Sequence, residues 1–151
     1  MVVRAIEKDD ADTWAILRGR LWPDADAEGL AAETRAFAAG VETPAIAAAF
    51  LAVEEEGAIT LGFIELAIRP FADGCDSQPV PHVEGWYVEP FARGRGAGRA
   101  LMHAGERWAR ELGFVELASD TEIENGASLA AHQRCGFLET ERLIKLRKTL
   151  C

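Results

Sequence analysis

Trp86-Tyr87-Val88-Glu89-Pro90-Phe91-Ala92-Arg93-Gly94-Arg95-Gly96-Ala97-Gly98 reads as a strand end, a glycine turn and the start of a helix. The strand is expected from His82 to Val88 and is stopped by Pro90, which cannot donate to a sheet ladder. Downstream, Ala97, Ala100, Leu101, Ala104, Trp108 and Leu112 recur at helical spacing until Gly113 ends the run. A helix N-terminus therefore opens directly out of a glycine-rich turn. Its unpaired N–H groups and the positive end of its dipole make an anion site, and the missing side chains let phosphate approach the backbone. Arg93, Arg95 and Arg99 add formal positive charge around it. The ligand implied is a phosphorylated cofactor.

Spacing narrows the choice. A Walker loop needs four residues between its glycines and then Gly-Lys-Ser/Thr, but here Gly98 is followed by Arg99-Ala100. The dinucleotide pattern Gly-x-Gly-x-x-Gly ends on Arg99 when started at Gly94 and on Leu101 when started at Gly96, so it fails too. What remains is Val88-x-Pro90-x-x-Arg93-Gly94-x-Gly96-x-Gly98. This frame resembles the acetyl-CoA pyrophosphate loop of the GNAT superfamily of N-acetyltransferases. The resemblance implies that acetyl-CoA is the co-substrate. It also implies an α/β, single-domain GNAT-type fold, a twisted mixed β-sheet splayed centrally with helices on both faces.

Size and charge agree with a small enzyme. The chain has 151 residues, 49% of them hydrophobic, which suits one N-acetyltransferase domain spanning residues 1–151. No apolar run approaches a membrane span, and Met1-Val2-Val3-Arg4-Ala5 has no signal-peptide core, so no membrane partner is expected. Cys75, Cys135 and Cys151 are an odd set without metal spacing, which argues for a reducing cytoplasm and for no metal. A formal net charge of −9 disfavours nucleic acid and fits either a cationic small molecule or simple solubility. The acids gather at Asp24/Asp26/Glu28, Asp73/Asp76, Glu84/Glu89 and Asp120/Glu122/Glu124, mostly in loops or at strand ends, where sites are built.

Along the chain, Val2 to Ile6 reads as a first strand. Asp9 or Asp10 is placed to cap a helix that carries Trp14, Leu17 and Leu21 and stops at Pro23. A second helix runs from about Asp26 to Gly40. Ala49 to Glu54 and Ile59 to Ile68 form a hairpin around Glu55-Glu56-Gly57, and Arg69 to Pro81 is a polar loop. Phe114 to Ser119 is a strand after the long helix, and Gly126 to Arg134 a short helix. Two last strands are expected around Phe137-Leu138 and from Leu143 to Leu146.

The short helix carries a second constellation. Asn125, Ser128 and His132 lie at i, i+3 and i+7 and share one face. Asn-x-x-Ser/Ala-x-x-x-Tyr-x-x-x-Gly-Phe is the other hallmark of the GNAT superfamily, in which the Asn and the aromatic hydroxyl face the pantetheine and thioester sulfur. In this chain His132 occupies the tyrosine position, and the only tyrosine is Tyr87. Two roles stand open for His132: proton donor to the leaving thiolate, or packed ring that orients Asn125 and the pantetheine.

Further stretches point to a subgroup. Arg18-Gly19-Arg20-Leu21-Trp22-Pro23, Gly74-Cys75-Asp76-Ser77-x-Pro79-Val80, Glu84-Gly85-x-x-Val88, Ala118-Ser119-Asp120-Thr121 and Phe137-x-Glu139-Thr140-Glu141-Arg142 resemble bacterial aminoglycoside 6′-N-acetyltransferases over nearly the whole chain. The resemblance implies acetyl transfer to the 6′-amine of an aminoglycoside, and with it antibiotic resistance and a homodimer. Such a polycation needs carboxylates aimed into a cleft, and Asp76, Glu84 and Asp120 are the candidates. Glu84 lies on an inner strand, where a carboxylate is costly unless paired, so a substrate ammonium is its expected partner. Trp22 either lines the acceptor side or closes the first helix as a core residue, and Asp120 either serves the acceptor or caps the turn before Asn125.

The chemistry implied is direct attack of the amine on the thioester. Backbone amides of Arg93, Gly94, Arg95, Gly96, Ala97 and Gly98, with Arg99 nearby, would hold the pyrophosphate, and the Val88 amide would polarise the acetyl carbonyl. Asp120, Glu84 or water would take the proton that the acceptor ammonium must lose. Cys75 has no histidine near it in sequence and is not expected as an acetyl-accepting nucleophile. Acetylation of a polyamine or protein amine, or acyl-CoA binding without catalysis, are the other readings the residues allow.

Overall fold

Near-continuous apolar runs in the second and third strands, buried on both faces, set the architecture of the chain. In a computed structural model describing residues 1–56 and 59–151, β2 (Ala48–Val53) and β3 (Thr60–Arg69) pair antiparallel. β1 (Val2–Ala5) joins β2, and β4 (Val80–Val88) joins β3 on the other side. β5 (Ala118–Ser119) adds a parallel strand, which gives a five-stranded mixed sheet in the order β1-β2-β3-β4-β5. Gly57, in the turn expected between β2 and β3, lies outside the described residues.

Helices cover both faces. α1 (Ala11–Leu21) brings Trp14 and Leu17 against Leu51 and Phe63, while α2 (Ala27–Ala38) adds Phe37, whose ring meets Trp14 edge-on at 5.5 Å. On the opposite face, α3 (Ala97–Glu111) buries Leu101 and Met102 completely against Ile64, Leu66 and Val83. Each such side chain stabilises the fold by about 1.5–3 kcal/mol. Asp26 caps α2 by accepting from the amides of Glu28 and Gly29 at 3.3 and 3.0 Å. Asp10 does not cap α1 with its side chain. Its carboxylate takes a two-point pair from Arg4 at 2.6 and 2.9 Å and the Glu7 amide at 2.7 Å, tying β1 to the helix start.

Two features of β4 position the site. The β3–β4 register shifts between Glu65↔Gly85 and Leu66↔Val83, so Glu84 is an extra residue that bulges out of the ladder. β5 pairs β4 only at His82↔Ala118 and Val83↔Ser119, so beyond Val83 that edge of β4 has no strand neighbour. This is the central splay.

Two strand boundaries differ from expectation, and two expected strands do not form. β4 starts at Val80 rather than His82, with Pro81 accommodated as its second residue. The strand expected over Phe114–Ser119 is reduced to Ala118–Ser119, and no strand forms near Phe137-Leu138 or Leu143–Leu146. A strand needs a partner for its backbone groups. Here the C-terminal segment after α4 (Gly126–Arg134) finds none within one copy, and Leu138, Ile144 and Leu146 are 86%, 83% and 91% exposed.

Candidate active site

At the splay, the strand end and the glycine turn form one continuous cradle. The Glu89 amide donates to the Leu61 carbonyl at 2.8 Å, which makes Glu89–Leu61 a hydrogen-bonded pair and Val88–Gly62 its non-bonded neighbour. The Val88 amide therefore points away from β3, toward the edge that β5 leaves uncovered. A short 3-10 turn, Pro90–Ala92, leads to Gly94 (φ 73°) and Gly96 (φ 90°), left-handed conformations that favour glycine, and a Cβ on either would enter open space. Gly96 stands immediately before α3, so the first amides of that helix open into this space. The cradle fits a diphosphate: it is glycine-lined, unfilled by side chains and faces the positive end of a helix dipole.

Individual residues of the turn divide their tasks. Arg95 and Arg99 are exposed beside it. Arg93 folds back, donating from Nε to the Val88 carbonyl at 2.9 Å with its guanidinium over Tyr87, so it braces the turn as well as charging it. The Gly98 carbonyl accepts from Trp86 Nε1 at 3.0 Å, and the lack of a Cβ at Gly98 lets that indole sit close. Ala97 is buried under the turn.

Across the splay stands α4. Asn125 caps it, its Oδ1 accepting from the Ser128 amide at 3.1 Å. His132 is buried between Trp86 and Phe137, both edge-on at 5.1 and 5.2 Å. Its Nδ1 lies 2.8 Å from the Ser128 carbonyl, which only accepts, so Nδ1 carries the hydrogen and Nε2 takes the Ser119 hydroxyl at 2.8 Å. Both ring nitrogens are thus engaged within the protein.

A second polar cluster gathers around a histidine that sequence reasoning did not single out. His82 is buried on β4, with Nδ1 3.5 Å from Glu84 Oε1 and Nε2 3.6 Å from Asp120 Oδ2. Glu84 is held by Arg69, which donates to both carboxylate oxygens at 2.7 and 2.8 Å. The cation expected from a substrate is therefore supplied to Glu84 by the chain itself, one strand away. The His82 ring beside Asp120, more than any other group, holds that carboxyl below its ordinary range, with Arg69 and Lys145 adding to the effect against burial. His82 and Asp120 share a cavity of about 350 Å³ with Arg69, Asp73, Thr140 and Glu141.

Trp22 and Asp76 lie apart from that cavity. The Trp22 ring covers Gly85, where a Cβ would come within 2.8 Å of it, and meets Phe63 edge-on at 6.5 Å. Arg18 sits 5.3 Å from its centre and is itself clamped by Glu65, at 3.0 and 3.1 Å. Trp22 is thus a half-buried plate against the inner face of β4, near the bulge. Asp76 is exposed in the loop before β4, where its amide and Ser77 donate to Glu116. Burial together with Glu116 and Asp76 pushes the Cys75 thiol up, which leaves little thiolate for nucleophilic chemistry.

His82 and Arg69 carried a signal of a kind. His82 precedes Glu84 by two residues on the strand leading to the glycine turn, and Arg69 follows Leu66-Ala67-Ile68 at the end of a mostly apolar strand. The bulge that brings His82 and Glu84 together has no sequence mark of its own.

Known proteins resemble this chain in sequence and fold. The family model described as the acetyltransferase (GNAT) family matches residues 12–137. The aminoglycoside N(6′)-acetyltransferase type 1 of Klebsiella aerogenes is 44% identical over 150 residues, 99% of this chain and 97% of that protein. Its counterpart in Stenotrophomonas maltophilia is 44% identical over 98% of this chain and 93% of its own length. Among solved structures, AAC(6′)-Iy in complex with the bisubstrate analog CoA-S-monomethyl-acetylneamine matches with a TM-score of 0.87 at 35% identity, covering 99% of this chain and 98% of that one. The apo aminoglycoside 6′-N-acetyltransferase AAC(6′)-IG of Acinetobacter haemolyticus matches with a TM-score of 0.84 at 30% identity, covering 99% of both.

Proposed function

Since the chain belongs to the GNAT acetyltransferase family, we propose that it transfers acetyl from acetyl-CoA to the 6′-amine of aminoglycosides and so confers resistance to them. The observation that carries this reading is likeness over the full length to enzymes named for that reaction. The chemistry of the acceptor cavity supports it. Its lining holds three carboxylates, Asp73, Asp120 and Glu141, against Arg69, which is already paired with Glu84, an anionic surplus suited to a ligand bearing several ammonium groups.

In this reading the amides from Arg93 to Gly98 hold the pyrophosphate, with Arg95 and Arg99 as counter-charges. Asn125 and Ser128 face the pantetheine arm. The Val88 amide polarises the acetyl carbonyl and takes up charge as the tetrahedral oxyanion develops. Asp120, free of a bidentate partner, grips the substrate ammonium and leads its proton away. Glu84 fixes Arg69, which forms part of the cavity wall. His132 holds α4 against Trp86 rather than donating a proton, because its Nδ1 hydrogen is committed to a backbone carbonyl. Trp22 offers a flat face to a sugar ring, and Asp76 stands as an outer carboxylate.

The whole of residues 1–151 acts as one catalytic unit in the cytoplasm, where its thiols stay reduced. Its assembly is a homodimer. The apolar and basic run Leu143-Ile144-Lys145-Leu146-Arg147-Lys148 alternates like a strand and pairs with a second copy. Thiol release from acetyl-CoA, measured with neamine, spermidine and a lysine peptide, tests the substrate. Brisk release with neamine alone is expected; release with spermidine or the peptide alone would move the chain to another acceptor class.

A further inference from the structure

The acceptor cavity holds one polar atom that its fold leaves without a partner. His82 has a side chain only 4% exposed, and its Nδ1 makes no hydrogen bond. The ring lies between two carboxylates, 3.5 Å from Glu84 and 3.6 Å from Asp120, both just beyond bonding distance for a neutral imidazole. A buried ring nitrogen without a partner is a destabilising feature. Protonation would change that balance, since an imidazolium between two carboxylates gains charge-assisted bonds on both sides. The β4 bulge at Glu84 is what brings the two acids to bear on one ring.

We propose that His82 is the proton reservoir of the acceptor site, receiving through Asp120 the proton that the substrate ammonium sheds before it attacks. This rests on the aminoglycoside reading above. Asp120, with a side chain 74% exposed, is the member of the pair that reaches the substrate, so His82 acts as a positioning and relay residue behind it. A carboxylate held below its ordinary range is a good grip for a cation but a weak terminal base near neutrality, where imidazole titrates. The other charges facing the ring are Glu84 on its own strand, Arg69 on β3, Asp73 in the loop after β3, and Glu141 and Lys145 in the C-terminal segment. Arg69 is spent on Glu84, so among the described residues His82 is the one cationic side chain within ion-pair distance of Asp120.

The protons balance. One N–H bond of the ammonium breaks, its electrons stay on nitrogen, and the proton passes by way of Asp120 to His82 Nε2. The freed amine attacks the acetyl carbonyl. Collapse of the tetrahedral adduct breaks the C–S bond, and the second proton of the nitrogen leaves with the thiolate as CoA thiol. His82 returns its proton to water as the acetylated product departs.

The test uses the full chain with His82→Gln and His82→Phe, neamine as acceptor, and turnover measured against pH. Loss of about a hundredfold in kcat at neutral pH is expected, with KM for neamine little changed and the acidic limb of the kcat profile displaced. Acetyl-CoA affinity by calorimetry should match the parent. With three histidines in the chain, the His82 ring resonances are assignable by substitution. The ring resonances should change through the parent's acidic limb. An active parent whose variants keep both rate and limb overturns the inference alone, as does a His82 ring that stays neutral through the limb or a uniform loss of rate with an unmoved limb. If the variants fail to bind acetyl-CoA, the ring titration in the parent decides. A parent inactive on neamine overturns the aminoglycoside reading and this inference with it.

Discussion

Gly96 holds φ at 90°, so any side chain there is strained before a ligand is considered, by about 1–2 kcal/mol. Gly96→Asp adds a carboxylate where phosphate would sit. Calorimetry should show acetyl-CoA affinity falling by at least about tenfold, as the repulsion of like charges near a helix N-terminus requires. Gly113→Ala is the control for strain alone: with φ 87° at the other end of α3, it should cost stability and leave acetyl-CoA affinity intact. Asp120→Asn should retain acetyl-CoA affinity and lose about a hundredfold in turnover. Because the Asp120 carboxyl titrates below its ordinary value, its charged form persists through the neutral range and is lost only as pH falls through the lowered value. KM for the aminoglycoside should therefore stay flat near neutrality and rise only in acid. The glycine turn was legible because its residues act through the backbone, and sequence spacing fixes backbone. The partner of Glu84 was not, since Arg69 reaches it across a strand pair whose register depends on an unmarked bulge.

Among the elements, ion pairs between segments do what capping alone does not. The Asp10 carboxyl is held low by the Arg4 guanidinium, so the stabilisation it brings is present above the ordinary carboxylate range and disappears as pH falls through the lowered value. Asp10→Asn should lower unfolding free energy by about 0.5–1 kcal/mol at neutral pH, with the difference from the parent vanishing in acid titrations of denaturant stability. The Arg18–Glu65 pair is deeper. Glu65 also accepts from Trp14 at 3.1 Å, and Arg18 adds the Leu30 carbonyl at 3.2 Å and Glu33 at 2.8 Å, joining α1, α2 and β3. Arg18→Ala should destabilise by about 3–5 kcal/mol, because it strands a buried carboxylate. Helices were read well here, since Asp26, Gly40, Gly113 and Asn125 punctuate strong periodic runs. The late strands were not. Leu143–Leu146 has the pattern of a strand, but pattern supplies no partner, and one copy of the chain leaves the segment unpaired.

For the molecule as a whole, an acidic body carries arginines around one glycine turn, and in the proposed reading that turn holds the co-substrate while the cavity around His82 and Asp120 takes the acceptor. The C-terminal segment, which we propose pairs two copies, also reaches the cavity, since Thr140, Glu141 and Leu143 line it. Removing residues 138–151 should convert a dimer to a monomer in sedimentation and raise KM for the aminoglycoside while leaving acetyl-CoA affinity in place. The central claim is regiochemical, and one paired measurement tests it: turnover with neamine against its analogue bearing a 6′-hydroxyl, with the acetylated product located by NMR. Both ligands offer ammonium groups to Asp120 and its neighbours, but only one carries a nucleophilic nitrogen at the 6′ position. The expected result is rapid release of CoA thiol with neamine, one acetyl group on the 6′ nitrogen, and negligible turnover of the hydroxyl analogue. Efficient acetylation of the hydroxyl analogue at a ring amine would contradict the account.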